Sequence, residues 1–483
     1  MAHIELIDQT MRDGQQSLWG FRMRAYQATG ALPDIDKAGF RVVDLWGGGP
    51  LVVLTREFHD DPWATLDHLI GGLPTSSPRA GVRTLAVGGF GFTPDSIVDL
   101  WIHTLTRHGI ESFWIFDCLY DMPVMRQKAE VVRQAGSKPV PAIMYGLTEL
   151  HTDEFFADRV REMASWDGVE TIYVEDASGI LTPERAATLL PALVAAAGEV
   201  RLELHCHATT GLAPLVYAEG LRCGIDIFHT CSLPLANGPS LPSTEATLEI
   251  LGELGHTHSI DVDRLAPIAE HFTREAKAAG YALGVPAEYR PLPYKHQLPG
   301  GMTGTLTNQL AQHDMLDRIH DVIEEIVVVR SELGEPIMAT PFSQFVGIQA
   351  VLNIVLGERY KVVPDEVIQY ALGHYGPLMR PVQADVLDRI SSQPRWELFE
   401  RWERPAPTLA DLRSQLGRNL SDEELILRVL VPDREVDAML ASGPLRTTSP
   451  SRVTSLKELI AGARGTRHFS VSRPDLKLEL RRR

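Results

Sequence analysis

Cysteine is scarce. Four residues in 483 (Cys118, Cys206, Cys223 and Cys231), with no CxxC pair, exclude a disulfide scaffold and a zinc ribbon and fit a reducing cytoplasm. Long apolar runs are missing too. The stretch Leu189–Ala197 is far shorter than a bilayer and contains Pro191, so no membrane span is expected. The opening MAHIELID has no basic region followed by an apolar run, so no secretion leader is expected. Basic charge is in deficit: 46 Lys and Arg stand against 63 Asp and Glu, a formal net charge of -17. That argues against nucleic acid or an anionic membrane as the main partner. Arg481, Arg482 and Arg483 read as a solvated tip. There is no phosphate loop, and WGGGP and GGFGF fit turns rather than a dinucleotide fingerprint.

What is present is a repeated beat. Short β-branched runs end in polar or glycine-rich turns, and helical stretches follow. The runs are Ile4–Asp8, Val42–Trp46, Thr84–Gly88, Phe113–Asp117, Pro139–Tyr145, Thr171–Glu175, Arg201–His207 and Ile225–Thr230. Strands alternating with helices in this number predict an α/β fold, a (β/α)8 TIM barrel, with an open doubly wound sheet as the alternative. Thr182, Pro183 and Glu184 open a helix that runs to Ala197: a side-chain cap, a proline at the first helical position and a carboxylate at the positive end. From about Pro291 the strand beat stops. Apolar spacing predicts long helices over Leu316–Leu333 and Phe342–Leu356, and the closing HFSVSRPDLKLELRRR alternates like a hairpin. The expected organisation is a catalytic barrel over 1–290 and a mainly helical C-terminal domain over 291–483.

Barrel enzymes place catalytic groups at the C-terminal ends of strands. The first run is followed by DQTMRDGQQS, which puts Arg12 and Asp13 just past its end, and the seventh ends in HCH. His205 and His207 are two apart, so both face the barrel mouth and can share one ion. Two histidines and a carboxylate are a common catalytic metal set with positions left open. Arg12 beside them can neutralise the oxygen of an enolate. Cys206, between the histidines, alternates outward. Cys118 and Trp46 follow strands near the mouth, and His296 in YKHQ is placed at its rim.

DQTMRDGQQS resembles the DTTLRDGQQS opening of the carboxyltransferase family: the carboxyltransferase domain of pyruvate carboxylase, the alpha subunit of oxaloacetate decarboxylase and the central subunit of transcarboxylase. VVDLWGG, FWIFDCLYD, ELHCHATTGLA, YKHQLPGGM, TPFSQFVGIQAVLNIVLGERYK and SDEELILRVL resemble family segments in order, over nearly the whole chain. The resemblance implies a barrel followed by a helical funnel. It implies a divalent metal ion (Zn, Mn or Co) on Asp13, His205 and His207, with Arg12 and Gln16 touching a 2-oxo acid and its enolate. It also implies carboxyl exchange with biotin. No Met-Lys-Met sequence occurs, so biotin is expected in trans on a biotinyl carrier protein. A homodimer is implied by the family alone.

The sequence departs from the family at four positions. In YVEDASG, Glu175 takes the place of a carboxylated lysine that serves as the fourth metal ligand. It has the right sign but falls short by about 3–4 Å. In LAVG, Val87 stands where an arginine grips the substrate carboxylate. In PGGMTGT, Gly304 stands where a threonine shuttles a proton, flanked by Thr303 and Thr305. In DIFHTCSLP, His229 stands for an aspartate. Four such changes lining one pocket point to a changed substrate or reaction. The first expectation is a carboxyltransferase or decarboxylase acting on a 2-oxo acid such as pyruvate or oxaloacetate. A biotin-independent carbon–carbon lyase or aldol/Claisen-type enzyme, and a non-catalytic partner subunit, are the alternatives.

Overall fold

The structure, a computed structural model, describes residues 2–89, 91–300, 302, 310, 316–448, 468–473 and 476–481. Thr303, Gly304 and Thr305 therefore lie outside the described residues. Eight strands form the barrel: β1 (His3–Asp8), β2 (Val42–Trp46), β3 (Pro78–Arg83), β4 (Ser112–Phe116), β5 (Lys138–Met144), β6 (Thr171–Asp176), β7 (Arg201–Cys206) and β8 (Ile227–Thr230). Neighbours pair in parallel, and β1 pairs with both β2 and β8, which closes the sheet. The open-sheet alternative is thereby excluded. A two-residue strand β9 (Thr257–His258) adds to β1 from outside.

Seven strands lie within two residues of their expected ends. The third does not. Thr84–Gly88 is the loop after β3, and the strand itself is PRAGVR. Proline, glycine and two arginines read as a polar turn, yet the strand is interior. Arg79, Gly81 and Arg83 share one face by alternation. A Cβ at Gly81 would sit 2.5 Å from the Trp114 ring, so only glycine lets that indole cross the barrel.

Polarity inside the barrel explains the misreading. Ile7, Val42 and Ile227 form a small apolar cluster of their own. Beyond it, Arg79 forks onto Glu203 through Nη1–Oε2 (2.5 Å) and Nη2–Oε1 (3.0 Å), and its Nε donates to Ser112 Oγ. The Thr171 hydroxyl donates to Glu203 Oε1 (2.6 Å), and His229 Nε2 lies 3.1 Å from Oε2. A fully buried ion pair is tolerated only when its remaining hydrogen-bonding capacity is met, as it is here.

The coat helices follow their local signals. Pro183–Ala197 starts where Thr182 accepts from the Arg185 N–H. Phe342–Leu356 has the expected bounds. The other long helix begins as a 3₁₀ turn at Leu316–Arg318 and continues as Ile319–Glu332. Residues 1–445 make one compact unit, within which the last described strand ends at His258 and helices follow. Residues 446–483 make a second, holding the antiparallel hairpin β10 (His468–Arg473) and β11 (Leu476–Arg481). No helix among the described residues is long and apolar enough to cross a membrane.

Candidate metal centre

A single π-helical turn, Thr10–Gly14, follows β1 and carries both Arg12 and Asp13. The wider turn closes with the Gly14 N–H donating to Gln9 O (2.9 Å). Such turns recur at functional sites because they redirect side chains that an α-turn would spread apart. Here Arg12 Nη1 lies 3.0 Å from Asp13 Oδ2 with both side chains buried.

Opposite them, His205 on β7 and His207 just past its end supply the two imidazoles. His205 Nε2 and His207 Nε2 each lie 3.5 Å from Asp13 Oδ2. Glu175, on β6 and in register with His205, completes a buried group. One ligand atom each from Asp13, Glu175, His205 and His207 all lie within 4.8 Å of one another. Glu175 is thus a member of the cluster despite being shorter than the lysine adduct it replaces. His205 Nε2 and Glu175 Oε2 are buried with no hydrogen-bond partner. Orphaned buried acceptors facing one point fit a cation.

The surrounding contacts orient these ligands. His207 Nδ1 lies 2.6 Å from Pro239 O, so its Nδ1–H donates there and Nε2 is turned toward Asp13. Tyr173 Oη lies 2.6 Å from His205 Nδ1 and accepts from Arg12 Nη2 (3.1 Å). His205 Nδ1 is also 3.2 Å from His229 Nδ1. Partners of this kind fix ring orientation and ligand basicity.

Charge is distributed unevenly. Burial would raise the Asp13 carboxyl, but Arg12 and the two imidazoles hold it well below the usual carboxylate range. Burial lifts Glu175 to about 7 and holds His205 well below the usual histidine range. Burial opposes protonation of His207, yet Asp13 and the Pro239 carbonyl raise it to about 9. A proton on His207 thereby balances Asp13, as a bound cation would.

Arg12 is held on all sides. Its Nε donates to Gln9 Oε1 (3.2 Å), its Nη1 to Gln16 Oε1 (3.5 Å), and its guanidinium lies 4.7 Å over the Trp114 ring. Gln16 is half-buried beside it. The structure therefore brings all six candidate residues (Arg12, Asp13, Gln16, Glu175, His205 and His207) to one place.

Two of the four departures have defined surroundings. His229 is fully buried beneath the cluster, between Glu203, Gln9 and His205. Val87 is buried in the loop after β3, where its carbonyl lies against Gly48. Of the lesser candidates, Trp46 is buried at the end of β2, and the His296 ring accepts from the Leu298 N–H. Sequence reasoning missed Tyr173, Glu203 and Arg79. The signal was available for two of them. Tyr173 is two residues before Glu175 and Glu203 two before His205, so alternation turns both inward. Nothing local marked Arg79.

The conserved carboxylase domain matches residues 294–471. A pyruvate carboxylase subunit of Methanothermobacter thermautotrophicus is 32% identical over 391 residues, covering 81% of this chain and 68% of that protein. The 2-oxoglutarate carboxylase large subunit of Hydrogenobacter thermophilus is 29% identical over 478 residues, covering 95% and 72%. The carboxyl transferase domain from Rhizobium etli pyruvate carboxylase superposes with a TM-score of 0.82 at 23% identity, over 92% of this chain and 78% of that one. That likeness speaks to the fold.

Proposed function

The chain belongs to the carboxyltransferase family of pyruvate carboxylase and its relatives, and from that premise we propose that it is a metal-dependent enzyme that transfers or removes a carboxyl group beside the carbonyl of a 2-oxo acid. The observation that carries the reading is the buried cluster of Asp13, Glu175, His205 and His207 with the Arg12 guanidinium against it. A divalent ion held there (Zn, Mn or Co) supplies Lewis-acid polarisation of a carbonyl oxygen. Arg12, already oriented by Gln9, Tyr173 and Trp114, holds negative charge that develops on that oxygen without first reorganising. Gln16 offers an amide to the substrate beside it. Buried Tyr173 and Trp114 keep water from the guanidinium.

The relatives named above act, by their names, on pyruvate and 2-oxoglutarate, and the shared class is a 2-oxo acid. Biotin, where used, comes on a separate carrier protein, and the chain works as a homodimer in a cytoplasmic setting. We divide it functionally at 290/291, with the chemistry on 1–290. The replacement of a lysine by Glu175 favours one second reading: a biotin-independent carbon–carbon lyase on the same metal site.

The test is proton exchange at the pyruvate methyl group in deuterated water, followed by NMR. Exchange that is abolished by chelator and by His207→Ala supports the reading. Metal-loaded protein that exchanges nothing refutes it for pyruvate. Acceleration of carboxyl transfer by added biotin then separates the carboxyltransferase from the lyase.

A further inference from the structure

A second polar feature of the mouth lies on its β3–β4 side, apart from the metal ligands. Arg83 ends β3 and, two residues beyond Gly81, turns to the barrel interior. Its Nη2 donates to Gly89 O (2.8 Å), but Nη1 is buried without a hydrogen-bond partner. Among the described residues no carboxylate makes an ion pair with it. Asp117 lines the same cavity yet is committed elsewhere: its oxygens accept from the Thr84 hydroxyl (2.5 Å) and the Leu119 N–H (2.8 Å).

Tyr375 borders this cavity from the helical region, and its hydroxyl is likewise buried and unpartnered. The remaining wall is largely apolar, with Phe92, Phe116 and Phe342. A guanidinium N–H and a phenol O–H are both donors. Two unmatched donors in an apolar cavity, one of them charged, call for a ligand with acceptor oxygens and negative charge. A buried guanidinium N–H without an acceptor is otherwise a standing penalty to the fold. Phe116 of this wall stacks on Trp114 (ring centroids 4.8 Å), and Trp114 lies under the Arg12 guanidinium (4.7 Å), so the cavity neighbours the candidate metal cluster.

We infer that Arg83 and Tyr375 form a carboxylate-binding subsite, which grips the carboxylate of the substrate while its carbonyl end faces the metal cluster. This rests on the proposed action on a 2-oxo acid, but the subsite is built without metal and is tested without it. Metal-stripped protein is titrated calorimetrically with pyruvate, 2-oxoglutarate and inorganic phosphate, and its melting is followed alongside.

The expected result is binding of at least one carboxylate. Arg83→Met should weaken it tenfold or more while raising the melting temperature of the unliganded protein, because the unpaired charge is gone. Tyr375→Phe should weaken it several-fold without lowering stability. Mn²⁺ affinity should be unchanged in both variants. A role in folding alone would lower the melting temperature of Arg83→Met and leave carboxylate affinity as it was. Failure of the wild type to bind any carboxylate, affinity in Arg83→Met within twofold of wild type, or preference for phosphate overturns the proposal. Loss of pyruvate exchange in metal-loaded protein, with Arg83-dependent carboxylate binding intact, overturns the proposed reaction instead and leaves the subsite standing.

Discussion

Glu203→Gln isolates the link between the barrel core and the candidate metal ligands. Glu203 is fully buried and receives two N–H bonds from Arg79 and an O–H bond from Thr171, with His229 Nε2 at 3.1 Å. Glutamine keeps the shape and one acceptor oxygen but leaves the Arg79 guanidinium, itself only 2% exposed, without its counter-charge. Removing one partner of a buried pair costs about 3–5 kcal/mol. The retained acceptor places this change near the lower end, about 3 kcal/mol. His229 also loses its anionic neighbour. It contacts His205 at 3.2 Å, so metal affinity should fall by about 10–100-fold. Stability is read from the urea midpoint of metal-stripped protein, and affinity by competition with a chromogenic chelator. Burial opposes ionisation of Glu203, but Arg79 and His229 prevail and hold its carboxyl below the ordinary value of 4.5. Such a group stabilises the fold above its unfolded value, and that contribution is lost as pH falls below it. The gap between wild type and variant should therefore narrow below about pH 4.5. A variant within about 1 kcal/mol of wild type at pH 7, with unchanged metal affinity, refutes the reasoning.

Three further outcomes follow from the same contacts. His151 is buried against Phe156, and burial pulls it down to about 3 from 6.5. The unfolded chain binds this proton first, so stability drops as pH falls below 6.5. His151→Phe should recover about 2 kcal/mol at pH 5, and equal acid limbs for the two proteins contradict the assignment. A Cβ at Gly48 would lie 1.7 Å from the Val87 carbonyl oxygen. Gly48→Ala should therefore cost about 1–3 kcal/mol and shift the loop after β3, measured by melting and by loss of carboxylate binding at Arg83. Adding Mn²⁺ or Zn²⁺ at about 100 times its dissociation constant should stabilise stripped protein by about 2.7 kcal/mol. His207→Ala should abolish that increment, and a full increment in the variant places the ion elsewhere.

Much of the site was legible because its signals are local. HCH on a strand forces His205 and His207 to one side, and the DQTMRDGQQS turn had to sit at the end of β1 where a barrel puts its chemistry. The helix from Pro183 to Ala197 announced its own cap. The third strand was not legible. Arg79 and Gly81 are poor strand residues by propensity, and they are there because Glu203 and Trp114 meet them across the barrel. Those partners are far away in sequence, and no window on PRAGVR contains them.

The sequence by itself therefore determined the alternation of strands and helices, the pairing of the two imidazoles and the family to which the chain belongs. Periodicity and covalent spacing act within a few residues and need no knowledge of the rest. Only the tertiary structure decided that Glu175 joins the candidate metal cluster, that His229 is buried between Glu203, Gln9 and His205, and that Arg83 Nη1 and the Tyr375 hydroxyl are left without partners beside one cavity. Each depends on which strand ends converge when the barrel closes. Burial then sets the charge, raising Glu175 and suppressing His205, and desolvation exists only once the chain has folded around them.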